Sequence, residues 1–529
     1  MNNLSEKINN EEKGNLGRAA GVVSFFTLIS RVLGLVRDMV IASFFGATIS
    51  ADAFVVAFKI PNMLRRFTAE GSMTIAFIPV FTEYLKNKSK KEAFELARVI
   101  LTLLSILLVV ITVAGIILSP WIVRIIAHGF GEEGPRYELT VLLTRITFPY
   151  ILLVSLVAFF MGVLNSLKHF ATPAAAPIFL NVGIIGATLL VASHISEPVI
   201  ATAVGVLIGG VMQVMLQLPI IFKKGLSLKP MWQPGHPAVK RIGLLILPAL
   251  FGSAVYQVNQ LTATLLASFL PKGSISWLYY ADRLVELPLG VFAIAISTAA
   301  LPSLSRQAVE KDESAFIDTI NHALKLTFFI TIPALVGLIV LGKPIIQLFF
   351  QRGAFDIFSR DMTATALMYY AFGLWAFSGV KIVVSAFYAL QDTLTPVKVS
   401  VITFLSYLFL GMILMGPLKH GGLALALSMS SSINFILLVL LLKRKILSWN
   451  LTPIAVSVSK VIVSAAVMGF GIYYLKGLLF PDNPDQGIFN LIIQVGVLVV
   501  SGVIIYLMAA LLFRCRELNA LLGLIRKRV

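Results

Sequence analysis

The chain has 529 residues, 58% hydrophobic and only 13% charged, with a mean hydropathy of +0.91. Soluble domains carry about 25% charged residues, so an ordinary globular or disordered protein is excluded, and the apolar run of roughly 20 residues becomes the unit of organisation. The net charge of +18 reads as basic inside loops rather than nucleic-acid binding, and one cysteine with six scattered histidines argues against a disulfide framework or a metal site.

Residues 1–18 are polar, mixing Glu6, Glu11 and Glu12 with Lys7, Lys13 and Arg18. They read as a cytoplasmic extension, not a signal peptide. Apolar runs then predict about fourteen spans, at 19–46, 52–84, 93–120, 139–166, 173–194, 198–222, 240–270, 275–305, 316–341, 360–390, 396–415, 420–443, 453–476 and 486–513. With the N-terminus inside, about 24 Lys/Arg fall in inside segments and about 8 in outside loops, the positive-inside asymmetry. Lys86, Lys88, Lys90 and Lys91, then Lys223, Lys224, Lys229, Lys240 and Arg241, then Lys443, Arg444 and Lys445, with Arg514, Arg516, Arg526, Lys527 and Arg528 in the tail, carry most of it. Both termini are therefore expected in the cytoplasm.

Residues recur at an offset of roughly 220–225. Ala42-Ser43-Phe44-Phe45 returns as Ala267-Ser268-Phe269-Leu270, LNSLKHFATP (164–173) as FYALQDTLTP (387–396), and SPWIVRIIAHGF after Pro120 as GKPIIQLFFQRGAF after Pro344. Shared Phe/Ala/Pro-rich composition is the competing explanation. A true repeat predicts an all-α polytopic membrane protein of two six-helix lobes. The N-lobe is 19–222, a cytoplasmic linker 223–239 and the C-lobe 240–445. Spans 13–14 (446–513) and a basic tail (514–529) follow.

Charges inside spans cost about 2.5–3.5 kcal/mol each on insertion scales, so they face a cavity or pair. Span 1 holds Arg31, Arg37 and Asp38; span 2 holds Asp52, Lys59, Arg65, Arg66 and Glu70 around Pro61; span 8 holds Asp282, Arg283 and Glu286. One reading is helix-gluing ion pairs. The other is a polar cavity between lobes that receives an anionic headgroup, the planar arginine fork suiting a diphosphate and the carboxylates holding the guanidinium when the cavity is empty. Arg145, Lys325, Lys381 and Lys460 line such a cavity or snorkel. Asp392 beside Thr393 and Thr395 suits a cation or simple turn chemistry. The linker stretch 223–241, with Trp232, fits an interfacial segment or an ordinary basic loop equally well. GLIVLGK (337–343) lacks the Ser/Thr of a P-loop, since Pro344 follows, and no GxSxG elbow occurs.

SRVLGLVRD (30–38), ADAFVVAFKIPNMLRRFTAEGS (51–72), ITFPYILL (146–153), SWLYYADRLVELPLG (276–290) and FYALQDTLTPVK (387–398) closely resemble the MurJ/MviN family across nearly the whole chain. The resemblance implies the multidrug/oligosaccharidyl-lipid/polysaccharide exporter fold plus two helices. It implies flipping of lipid II, the undecaprenyl-diphosphate-linked peptidoglycan precursor, across the inner membrane by alternating access. It carries substrate binding onto Arg31, Arg37, Arg65 and Arg283, and supporting carboxylates onto Asp38, Asp52, Asp282 and Glu286. Spans 13–14 would cradle the lipid tail. A coupling-ion site reported in the family does not map cleanly here. The expectations are a transporter rather than an enzyme and no cofactor beyond membrane-potential or ion coupling. The expected partners are lipid II, membrane lipids and the peptidoglycan synthesis machinery. Another polyprenyl-diphosphate-linked glycan, a cation-coupled exporter and a non-transport scaffold are the rivals.

Overall fold

In hydrocarbon no water satisfies the backbone, so a chain of apolar runs closes its N–H and C=O groups within helices. The computed structural model describes residues 2–65, 76–479 and 487–518, and among them every regular element is helical. Of these residues, side chains are described for 21–63, 76–246, 257–478 and 487–518. Among the described residues, nine helices are long and apolar enough to cross a membrane, and a bent pair makes ten. The all-α expectation therefore holds.

The chain forms two compact units, Met1–Phe269 and Leu270–Val529. The first contains α1 (Asn2–Phe45), α2 (Ile49–Arg65), α3 (Ile78–Asn87), α4 (Lys90–Ile126), α5 (Pro135–Thr147), α6 (Tyr150–Ser166), α7 (Ala171–Val191), α8 (Val199–Lys224) and α9 (Pro237–Ser268). The second contains α10 (Ser274–Pro288), α11 (Ile294–Glu310), α12 (Glu313–Phe349), α13 (Ile357–Ala371), α14 (Leu374–Ala389), α15 (Leu394–Lys445), α16 (Thr452–Leu479) and α17 (Ile488–Leu512). A π-helical stretch, Leu289–Ala293, joins α10 to α11.

The repeat seen in sequence is a repeat of backbone. Helices α4 and α12 are both 37 residues long. Their N-caps are Ser89, accepting from Glu92 N, and Asp312, accepting from Ala315 N. The broken span α5–α6 has its counterpart in α13–α14, bent by 41°. The turns that follow match bond for bond: Lys168 and Gln391 both sit at φ 57. His169 N donates to Leu164 O at 2.8 Å, and Asp392 N donates to Phe387 O at 2.9 Å. Such agreement at one offset does not arise from shared composition.

Helix α15 runs 52 residues, about twice a bilayer span at roughly 1.5 Å per residue. It breaks at Lys419 (φ 50, ψ −131). A Cβ on Gly422 would lie 2.1 Å from the Leu414 carbonyl oxygen, so the chain doubles back there and spans 11 and 12 are distinct. In the first unit, α7 and α8 pack backbone to backbone: a Cβ on Gly183 would lie 2.5 Å from Gly209. Small residues at helical spacing permit this approach.

The packing boundary falls one helix later than the repeat boundary. The span pattern opens the second lobe at residue 240, yet α9 packs with the first unit. Arg241 pairs with Glu83 at 2.8 Å, Lys59 Nζ donates to Thr264 Oγ1 at 2.5 Å, and Gly129 N donates to Ser268 Oγ at 2.9 Å.

Candidate functional site

Three charged centres are described. The first joins α1 to α7. Arg37 Nε and Nη2 donate to Asp38 Oδ1 at 3.0 and 2.7 Å, and Nη1 donates to Asn181 Oδ1 at 3.2 Å. Asn181 Nδ2 in turn donates to Ser30 O at 3.1 Å. Arg37 is 9% exposed and Asp38 2%. A buried ion pair holds only when its remaining donors are satisfied, and Asn181 supplies that third partner from a helix far away in sequence. Arg31, two turns earlier on α1, is exposed and has no ion pair or hydrogen bond among the described residues.

The second centre joins α2 to α5. Asp52 is fully buried, and Arg136 Nη2 donates to its Oδ2 at 2.8 Å. The Arg136 guanidinium also sits 3.8 Å from the Phe130 ring centroid, a cation–π contact. Asp52 thus stands beside Arg136, a residue that sequence reading left as an outside-loop charge. The available signal was chemical: a carboxylate at the start of an apolar helix needs a cation, and PRYELT (135–140) opens the next outer helix with one.

The third centre lies on α10. Arg283 Nη1 donates to Glu286 Oε2 at 3.0 Å, and Nη2 donates to the Tyr279 hydroxyl at 3.1 Å. The guanidinium lies over the Tyr279 ring at 4.8 Å. Its side chain remains 32% exposed and that of Glu286 40%. Glu286 and Tyr279 lie on the same helix as Arg283, at i+3 and i−4 spacing, and they hold an arginine that is still a third exposed. Asp282 is half-buried and within electrostatic reach of Tyr370 on α13.

Within the first unit, Asp38 pairs with its neighbour Arg37, whereas i, i+3, i+7 spacing along span 1 puts Asp38 on one face with Arg31 and Gly34. Within the second, Arg283 pairs with Glu286. The side chain of Arg65, with Arg66 and Glu70, lies outside the described residues, as do Arg526, Lys527 and Arg528. Arg145 Nε donates to the buried Ser119 Oγ at 3.1 Å. The Asp392 carboxylate is occupied by Lys445 at 2.6 Å, Thr395 N at 2.9 Å and Thr395 Oγ1 at 2.6 Å. Those hydrogen bonds from Lys445 and Thr395 hold it well below the usual carboxylate range. Among the described residues no cluster of three His, Cys, Asp or Glu converges for a metal.

This arrangement can present arginines to an anion, with carboxylates as internal counter-ions.

The fold has known counterparts. A family model described as lipid II flippase MurJ matches residues 41–482. A probable lipid II flippase MurJ of Vibrio cholerae is 40% identical over 424 residues, covering 79% of this chain and 81% of the relative. A lipid II flippase MurJ of Burkholderia cenocepacia is 39% identical over 440 residues, covering 82% and 84%. Among solved structures, a lipid II flippase MurJ in an inward-closed conformation aligns with a TM-score of 0.78 at 29% identity, over 93% of this chain and 98% of that one. An inward-facing MATE transporter of the MOP superfamily aligns at 0.66 with 15% identity, over 81% and 98%, which bears on the fold alone. The chain is a multi-span protein of the bacterial inner membrane, and it belongs to the lipid II flippase MurJ family.

Proposed function

We propose that this chain flips lipid II, a polyprenyl-diphosphate-linked peptidoglycan precursor, from the inner to the outer leaflet by alternating access. The observation that carries the reading is its likeness over nearly its full length to a lipid II flippase of 0.78 TM-score. Both termini lie in the cytoplasm, by the basic bias of the inside loops. Arg283, held by Glu286 and Tyr279 yet a third exposed, engages the diphosphate. Charge-assisted bonds from a planar guanidinium match paired phosphate oxygens. Arg31, exposed and without a partner among the described residues, and Arg65 add further donors. Arg37 joins them when the substrate carries enough negative charge to compete with Asp38.

The lipid tail stays in hydrocarbon, along α16 and α17. The reaction makes and breaks no covalent bond. An inside-negative membrane potential favours outward movement of an anion by about 2.3 kcal/mol per charge per 100 mV. The peptidoglycan synthesis machinery would consume the exposed product.

The test uses purified full-length protein in liposomes with fluorescent lipid II and an impermeant quencher. Protein-dependent exposure of lipid II, absent with a polyprenyl-phosphate lacking the sugar–peptide, supports the reading. No exposure of lipid II, or equal exposure of any polyprenyl glycan, rejects the peptidoglycan assignment.

A further inference from the structure

The stretch from Lys223 to Arg241 carries five basic residues, Lys223, Lys224, Lys229, Lys240 and Arg241, and no acidic one. Its structure is not that of a loose connector. Leu226 is 1% exposed and belongs to an apolar cluster with Phe81, Leu96 and Phe160. Two hydrogen bonds then fasten the segment along α4. Arg98 Nε donates to Lys229 O at 2.9 Å, and Met231 N donates to Thr102 Oγ1 at 2.9 Å.

The height of these bonds on α4 is informative. The exposed residues at its start are Lys90, Lys91 and Glu92. Further along, the exposed residues are Ile106, Leu107, Val109 and Val110. Thr102 lies between the two sets, where a helix surface passes from water to hydrocarbon. Trp232, the residue after the Thr102 bond, is 63% exposed at that level. Exposed Lys223, Lys229 and Lys240 flank it. An amphipathic ring at the boundary and cations beside it are the two elements that bind a charged membrane surface.

We propose that residues 225–236 form a strap clamped to α4 that docks on the bilayer interface, with Trp232 seated among headgroups and Lys223, Lys229 and Lys240 binding anionic phospholipid. The assignment to the inner leaflet rests on the orientation proposed above; the docking itself does not. Charge complementarity selects the occupant: a segment with five basic residues and no acidic one, at headgroup depth, fits the phosphate of an anionic phospholipid.

The test places full-length protein in nanodiscs of phosphatidylcholine with or without phosphatidylglycerol, using lipids brominated high or deep on the acyl chain. Trp232 is one of five tryptophans, so the wild-type signal minus that of W232F isolates it. Bimane on Cys in a Gln233→Cys, Cys515→Ala protein gives the same reading with Trp232 intact. The expected result is quenching at least twofold stronger from shallow than from deep bromines, increased by phosphatidylglycerol and reduced in the K223Q/K229Q/K240Q protein. Quenching by aqueous acrylamide with none from brominated lipid overturns the strap. Quenching indifferent to phosphatidylglycerol, or abolished equally by inorganic phosphate, overturns the anionic-lipid assignment. Orientation is read separately, by impermeant thiol labelling of Gln233→Cys in sealed vesicles, so its failure is distinguishable.

Discussion

Arg37 and Arg283 answer one description in sequence, an arginine beside an aspartate in an apolar helix, and the fold treats them differently. Arg37 is 9% exposed, with Asp38 and, from α7, Asn181 as partners. The Arg283 side chain is 32% exposed and shares its hydrogen bonds with Glu286 and Tyr279 of its own helix. The first resembles a brace between helices and the second a donor kept ready. Burial, not residue type, separates the two roles.

The largest expected effect tests the brace. Arg37→Ala leaves the Asp38 carboxylate buried and uncompensated, which costs about 3–5 kcal/mol. Thermal unfolding in detergent should drop sharply and yield should fall. Adding Asp38→Asn should restore much of the stability without restoring transport. Full stability of the single variant would erase the distinction between the two arginines.

Arg283→Ala should show the converse pattern. Its lost charge-assisted hydrogen bonds are worth about 1.5–3 kcal/mol each, so lipid II binding should weaken about 10- to 100-fold with little change in melting temperature. Arg283→Lys keeps the charge and loses the fork, so its binding should fall between. Asn181→Leu sharpens the comparison from the partner side. It removes one bond to a charged group and should cost about 1.5–3 kcal/mol of stability, whereas Tyr279→Phe, the nearest equivalent on α10, should cost under about 1 kcal/mol. Melting curves of the pair decide it.

Smaller effects belong to the duplicated turns. Asp392 is tied to Lys445, while its counterpart His169 bonds Thr172 Oγ1 at 2.6 Å. Burial, then the charge of Lys224, push the His169 pKa down. Because the Asp392 pKa is depressed in the folded protein, its contribution is full above about pH 4 and is lost as pH falls through the folded value. The stability difference between wild type and Asp392→Asn should therefore be flat from about pH 7 to 5 and shrink below about pH 4. Lys445 is 46% exposed, which limits the difference to about 1 kcal/mol. His169→Asp, which offers Lys224 a carboxylate, should stabilise the first turn by about 0.5 kcal/mol.

Much of this architecture was legible because the bilayer leaves few options. Apolar length predicted helices, and the echo of LNSLKHFATP in FYALQDTLTP announced turns that prove alike down to Lys168 and Gln391 at φ 57. The setting of Arg283 between Asp282 and Glu286 was visible because spacing along a helix is local information, while the same spacing grouped Asp38 with Arg31 rather than with its actual partner Arg37. Asn181 with Arg37, Arg136 with Asp52 and Lys445 with Asp392 were not visible. Each spans dozens of residues, and only helix packing decides which buried polar groups meet. The grouping of α9 with the first unit was hidden for the same reason: the repeat records where a helix begins, while Glu83 and Gly129 record where it packs.

The central claim is that this chain carries lipid II across the inner membrane. The most direct measurement is the outer-leaflet fraction of lipid II in spheroplasts before and after rapid depletion of the protein, read by an added enzyme that cleaves only exposed precursor. The account predicts that the exposed fraction collapses while total precursor rises, and that wild type but not Arg283→Ala restores it. An unchanged exposed fraction, in cells with no second flippase, would contradict it.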